Sequence, residues 1–265
     1  VMEEEWDNLL IFDACRFDMF ERENNIEGKL ESRISRGSST IGFLRGNFRD
    51  KEMHDTVYLT SNPQLKRHQD EINADFFKVI DIWDDEDFWD EEYSTVPPEK
   101  LVEKAKEVAE EYPNKRLIVH FMQPHYPFLP LEKGDEPPKM GLGDYFWHNI
   151  MRGKKDTTRE EAWKLYNDNL KRALKPVKEL VEFLEGKTVV TSDHGNFVGE
   201  KASPVPISEW GHPIGIHDET LTRVPWLIVD SDERKDIVAE SSENEETDVD
   251  EEEVKEKLSA LGYGD

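Results

Sequence analysis

The sequence predicts an α/β protein organised on a largely parallel β-sheet. Short apolar, β-branched runs of strand length recur along the chain, and amphipathic helical patterns separate them. Acidic and imidazole side chains stand directly after several of these runs, and the carboxyl ends of parallel strands are where ligands bind in such sheets. The chain has 265 residues, is 36% hydrophobic and carries 13 Phe and 7 Trp, enough apolar material for one large core.

Trp6–Phe12 ends in a continuous apolar run that stops at Asp13, and Asp13-Ala-Cys-Arg-Phe-Asp18 leads into a helical pattern through Met19, Phe20 and Glu23. Residues 28–46 are rich in Ser, Gly and Arg and read as a loop entering a short helix, punctuated by Gly37, Gly42 and Gly46. Thr56–Thr60 is a strand stopped by Ser61-Asn62-Pro63; Phe76–Ile82 is another, and Asp84–Tyr93 an acidic aromatic loop. Pro97-Pro98 opens a helix whose buried face is Leu101, Val102, Ala105, Val108 and Ala109. Leu117–Phe121 is a strand running into Met122-Gln-Pro-His-Tyr-Pro-Phe128. Residues 130–157 are Pro/Gly-rich and read as a lid or insertion. Thr158-Arg-Glu-Glu161 is a capping box for a long helix towards Leu184, with a kink expected at Pro176. Thr188–Thr191 is a strand, followed at once by Ser192-Asp193-His194-Gly195; a polar loop then reaches Trp210-Gly-His-Pro213, and Val224–Val229 is the last strand. These elements make one domain over residues 1–230. Residues 231–253 have the composition of a disordered acidic linker, and 254–265 hold a short helix docked by Leu258 and Leu261.

A formal net charge of −26 argues against nucleic acid or an anionic membrane surface as the main partner. Acidic runs at Glu3–Glu5, Asp84–Asp87 and Asp90–Glu92 read as solvated surface. Cys15 is the single cysteine, so neither an internal disulfide nor a cysteine metal cluster can form. No apolar run reaches membrane-spanning length, and the first residues lack a basic region and a secretory apolar stretch. The expectation is a soluble, cytoplasmic chain without stable membrane insertion. Nothing in the sequence speaks to oligomeric state.

Asp193-His194 is a mixed oxygen/nitrogen pair suited to Zn²⁺ or Mn²⁺, and Gly195 permits a sharp turn behind it. A surface turn capping a helix would use similar residues. A parallel sheet brings strand ends to one edge, so Asp13, Ser38-Ser39-Thr40, His125, Asp193-His194 and His212 can converge. A metal held by Asp13, Asp193 and His194 would lower the pKa of a coordinated hydroxyl and turn a Thr or Ser into a nucleophile. His125 and His212 would hold a phosphate or sulfate oxygen or complete a second metal site; Arg16, Arg36 and Arg45 would offset developing charge. The plainer readings are a helix N-cap at Asp13, a polar loop at 38–40 and histidines packed between prolines. His54, His68, His120, His148 and His217 read as structural or surface groups, and Asp144-x-x-x-His148 has a metal-binding helical spacing weakened by nearby glycines.

Four segments, in order, resemble the alkaline phosphatase superfamily, in particular its sulfatase-like branch. Leu-Ile-Phe-Asp13-Ala-Cys-Arg16-Phe-Asp18 looks like the first metal-ligand strand. Val119-His-Phe-Met-Gln-Pro-His125-Tyr-Pro-Phe is similar to the substrate-histidine segment, Thr-Ser-Asp193-His194-Gly to the late metal-ligand pair, and Gly211-His212 with Arg223–Val229 to the closing histidine and last core strand. The resemblance covers residues 6–230 and implies a three-layer sandwich around the sheet. It implies Asp13, Thr40, Asp193 and His194 as metal ligands, Thr40 as nucleophile with Ser39 second, and His125, His212, Arg16 and Asn62 as substrate contacts. The Gly37-Ser-Ser-Thr40 loop resembles that of phosphoethanolamine transferases. The Cys-x-Pro-x-Arg segment of true sulfatases has no counterpart: Cys15 lacks the spacing and position 40 is Thr. The implied activity is therefore metal-dependent hydrolysis or transfer of phosphate esters ahead of sulfate esters. The substrate would be a small molecule or a glycan or lipid head group, and the cofactor Zn²⁺ or Mn²⁺, with Ca²⁺ or Mg²⁺ as alternatives. Sulfuric ester hydrolysis, a phosphomutase-like reaction and a catalytically degenerate anion- or glycan-binding scaffold are the competing functions.

Overall fold

The computed structural model describes residues 1–132, 146–204, 206–244 and 251–263. Through them the chain runs β1 (Asn8–Asp13), α1 (Phe17–Glu23), β2 (Lys29–Ile34), α2 (Thr40–Phe48), β3 (Glu52–Thr60), α3 (Gln64–Arg67), α4 (Gln69–Ile72), β4 (Asp75–Asp81), α5 (Pro98–Glu111) and β5 (Arg116–Pro124). It continues with α6 (Phe146–Met151), α7 (Arg159–Phe183), β6 (Thr188–Ser192), β7 (Phe197–Lys201), β8 (Ser208–Gly211), α8 (Glu219–Thr222), β9 (Arg223–Val229) and α9 (Glu251–Ala260).

Seven strands form one sheet in the order β2-β9-β6-β1-β5-β3-β4. The pairs β6-β1, β1-β5, β5-β3 and β3-β4 are parallel, while β9 runs antiparallel to both β6 and β2. Alternation along β1 builds two cores. Leu10 and Phe12 pack with α5 and α7 on one face, and Leu9 and Ile11 pack with α2, Leu65 and Ile72 on the other. Continuous burial on both faces is what a central parallel strand requires, and it explains the unbroken apolar run before Asp13. The architecture is thus the expected α/β sandwich.

Register places the site. Phe12 pairs with Ser192, so the next residues on the two strands, Asp13 and Asp193, emerge side by side. On the other flank β1 meets β5, where Asp13 aligns with Pro124 and His125 N–H donates to the Asp13 carbonyl at 3.2 Å.

The structure departs from expectation in several elements. β2 occupies residues expected to be loop; it is an edge strand with only half-buried side chains, so it lacks an apolar signature. The polar stretch after His194 forms the β7–β8 hairpin. Helix α7 continues through Pro176, which is buried in its interior. Residues 231–244, expected to be disordered, run against the body: Val238 N–H donates to Asn114 O, Glu240 N–H to His54 O and Glu243 N–H to Phe77 O. Lys115 reinforces this through Val238 O at 2.8 Å and Glu240 at 2.7 Å. Of the expected lid, α6 is seen; Asp144 and the rest of 133–145 lie outside the described residues.

Candidate metal centre

Asp13, Asp193 and His194 are fully buried and offer ligand atoms that all lie within 4.8 Å of one another. Each is oriented by hydrogen bonds on its far side. Asp193 Oδ1 accepts from the N–H groups of Ala14 (2.9 Å) and His194 (2.7 Å). Ala14 reaches it by turning into the left-handed region at φ 60°, a backbone cost that a functional turn sustains. Asp13 Oδ2 accepts from Asn62 Nδ2 at 2.7 Å and from the Tyr263 hydroxyl at 2.6 Å. His194 Nδ1 is 2.7 Å from Gly195 O, which places its hydrogen there and leaves Nε2 as a lone pair.

What remains faces inward without a hydrogen-bond partner: Asp13 Oδ1 and Asp193 Oδ2. They stand 3.6 and 3.4 Å from His194 Nε2, and Thr40 Oγ1 stands 3.3 Å from the same nitrogen. Ligands at ~2.0–2.1 Å from a tetrahedral ion lie about 3.3–3.4 Å from each other. The spacing and the donor set therefore fit a divalent cation. The electrostatics call for one. Burial and the neighbouring Asp193 charge push Asp13 well above the ordinary carboxylate range. Burial opposes ionisation of Asp193 too, but His194, His120 and the Ala14 N–H hold it low. Two carboxylates in a dry pocket are relieved by a shared proton or by added positive charge, which a divalent cation would supply.

Thr40 is the first residue of α2, and Ser39 precedes it as the N-cap, accepting from Gly42 N–H at 3.4 Å. The Ser39 hydroxyl is therefore engaged in the cap, whereas Thr40 Oγ1 lies 3.4 Å from Asp13 Oδ2 at the centre. Ser38 ties this loop to the His212 segment through Pro213 O and Gly215 N–H.

His125 and His212 complete a cluster of imidazoles, with ring centroids 5.0 Å apart, and His212 lies 4.6 Å from His194. Each is anchored through Nδ1, His125 to Tyr126 O and His212 to Asn196 Oδ1 at 3.1 Å, leaving Nε2 free as an acceptor. Burial keeps both neutral, lowering His125 to about 4 and His212 well below its usual value. Both line a cleft of about 890 Å³ that also includes Thr40, Trp147, Trp210 and Tyr263.

Two expected substrate contacts, Arg16 and Asn62, are engaged by side chains of the protein. Arg16 is engaged by Asp18 at 2.6 Å and Glu200 at 2.8 Å and lies over the Trp163 ring, so it locks the turn after β1 rather than facing the cleft. Asn62 lies at the site itself, its amide donating to Asp13 Oδ2 at 2.7 Å and lying 3.2 Å from the Tyr263 hydroxyl. Arg36 and Arg45 are paired with Glu3 and Glu71. Two residues were not foreseen. His120, expected to be structural, is buried with Nδ1 at 2.7 Å from the Tyr58 hydroxyl and Nε2 at 3.8 Å from Asp193 Oδ2. Tyr263 arrives from the far end of the sequence; its only signal is Leu261-Gly262 closing a helix.

No family profile matches the sequence, and no curated protein is recognisably similar to it. Solved structures are. The C-terminal periplasmic domain of a phosphoethanolamine transferase from Campylobacter jejuni matches with a TM-score of 0.54 at 16% identity, over 85% of this chain and 78% of that one. The soluble domain of lipooligosaccharide phosphoethanolamine transferase A from Neisseria meningitidis matches with a TM-score of 0.56 at 14% identity, over 83% and 75%. The integral membrane protein of that name matches at 0.55 and 12% identity, with 85% of this chain covering 47% of that one. The chain thus shares the fold of these phosphoethanolamine transferase domains. The expectation of a cytoplasmic location is corrected: the same fold is found in a periplasmic domain and in an integral membrane protein. Among the described residues no helix is long and apolar enough to cross a membrane.

Proposed function

We propose that this chain transfers or hydrolyses phosphate esters outside the cytoplasm, with Thr40 as nucleophile and Asp13, Thr40, Asp193 and His194 holding Zn²⁺ or Mn²⁺. The observation that carries the proposal is the set of inward-facing atoms around His194 Nε2, 3.3 to 3.6 Å away, with the Thr40 hydroxyl among them. A divalent ion there would polarise the threonine oxygen and balance phosphoryl charge.

The chain's own residues supply the rest. Thr40 begins a helix, so free backbone N–H groups of α2 lie beside its hydroxyl, where an anionic phosphoryl group is favoured. Its oxygen would bond to phosphorus as the ester bond breaks, giving phospho-threonine and a released alcohol. His125 and His212, neutral and with Nε2 unprotonated, are suited to accept a hydrogen bond from, and so orient, the water or acceptor alcohol that resolves this species. The cleft mouth also suits an anionic ester. Arg67, Arg152 and Lys154 line it against one carboxylate, Glu209, among the described residues, so the local field opposes the net charge of −26. The phosphoethanolamine transferases that share the fold make a lipid or glycan head group the substrate class to test first.

Turnover of aryl phosphate mono- and diesters with added Zn²⁺ or Mn²⁺ tests the reading. Thr40→Ala is expected to lower kcat by at least ~10³-fold while the chain still folds. Full metal-dependent turnover by that variant would rule out Thr40 as nucleophile.

A further inference from the structure

The segment after α9 returns to the site across 250 residues of sequence separation. Its path is tightly specified. Val254, Leu258 and Leu261 are buried in the main core, and Lys257 Nζ lies 3.9 Å from the centre of the Trp89 ring. The helix ends in a Schellman motif: Tyr263 N–H donates to Leu258 O at 2.9 Å and Gly262 N–H to Ser259 O at 3.0 Å. Gly262 has φ +83°, and a Cβ there would come 3.1 Å from the Tyr126 ring. The backbone of Tyr263 is therefore set before its side chain makes any contact.

That side chain then reaches the site. Its hydroxyl is 2.6 Å from Asp13 Oδ2, 3.2 Å from Asn62 Nδ2 and 3.4 Å from Thr40 Oγ1, and its ring stacks on His125 at 4.9 Å with planes 4° apart. Asp13 Oδ2 thus takes its two shortest hydrogen bonds from Asn62 and Tyr263, with Thr40 Oγ1 farther at 3.4 Å, while Asp13 Oδ1 is left without a partner. We propose that Tyr263 is a positioning residue of the cation site, turning the Asp13 carboxylate so that Oδ1 faces His194 and Asp193. The proposal rests on the metal-centre reading above. Groups that orient a metal ligand in this way typically contribute 10–100-fold in affinity.

Calorimetric titration of the full chain with Mn²⁺ and with Zn²⁺ tests it without reference to turnover. Tyr263→Phe keeps the ring and its stack on His125 and removes only the hydroxyl. The expected result is affinity weakened about 10-fold or more, with the far-UV circular dichroism and Tm of the metal-free chain unchanged. Gly262→Ala, which strains the turn that aims the phenol, should weaken binding in the same direction. Unchanged affinity in Tyr263→Phe overturns the proposal. So does tighter binding, which would make the phenol an occupant that the ion displaces. If the unmodified chain takes neither ion, the functional reading falls together with this one; if it binds and Tyr263→Phe binds equally well, only the role of Tyr263 falls.

Discussion

Asp13→Asn should stabilise the metal-free protein while abolishing its response to metal. The side chain keeps its shape and an oxygen to accept from Asn62 and Tyr263, but loses its charge. The magnitude follows from the site: with ligand atoms of Asp13 and Asp193 within 4.8 Å, two unit charges repel by roughly 3 kcal/mol at an effective dielectric of ~20. Partial protonation of Asp13 relieves part of this, so a gain of about 2 kcal/mol is expected, which for a chain of this size raises Tm by roughly 4–8 °C. The pH dependence has a definite sign. The folded pKa of Asp13 is raised above its ordinary 3.8, so its contribution to stability is intact below that value and declines as pH rises through the folded pKa. The advantage of Asp13→Asn should therefore vanish near pH 3–4 and grow towards neutrality. With metal at about 100 times its Kd the unmodified chain gains ~2.7 kcal/mol and the variant nothing, so the order reverses. Thermal unfolding by circular dichroism at several pH values, with chelator and with Mn²⁺, measures all of this. A variant less stable than the unmodified chain in chelator at pH 7 would refute the account of paired buried carboxylates.

The neutral, buried His125 is expected to titrate near 4 when folded and near 6.5 when unfolded, so stability falls as pH drops between those values, by up to about 3 kcal/mol; His125→Gln should flatten that slope in urea unfolding. Arg16→Ala removes a buried guanidinium from an exposed partner, Asp18, and a half-buried one, Glu200, so it should cost about 1–2 kcal/mol in unfolding free energy while leaving Mn²⁺ affinity within a factor of a few.

How much could be read beforehand depended on burial. β1, β5 and β6 are buried on both faces, so their apolar runs were visible, and with them the positions of Asp13, His125 and Asp193 one step beyond. β2 and the β7–β8 hairpin are partly exposed and bury too little to leave a pattern. That Ser39 caps α2 while Thr40 faces Asp13 became legible only once the helix start was known, because the first helical residue and its cap differ by one position but point differently. Arg16 was placed in the right neighbourhood but turns to Asp18 and Glu200, since position relative to a strand end does not say which partner a long side chain finds. Residues 231–244 have a disordered composition, yet edge backbone groups on the body hold them. Tyr263 was invisible because its contacts are tertiary and lie 250 residues away.

The atoms of the candidate ion site straddle the middle of the sheet. β1 contributes Asp13, its neighbour β6 leads to Asp193 and His194, and these strands are joined by nearly the whole intervening chain. An ion seated between them would act as a rivet through the keel rather than a clasp on a loop. Its departure would loosen the two central strands first, so amide exchange along Leu9–Phe12 and Val189–Ser192 would register metal occupancy before any peripheral segment did.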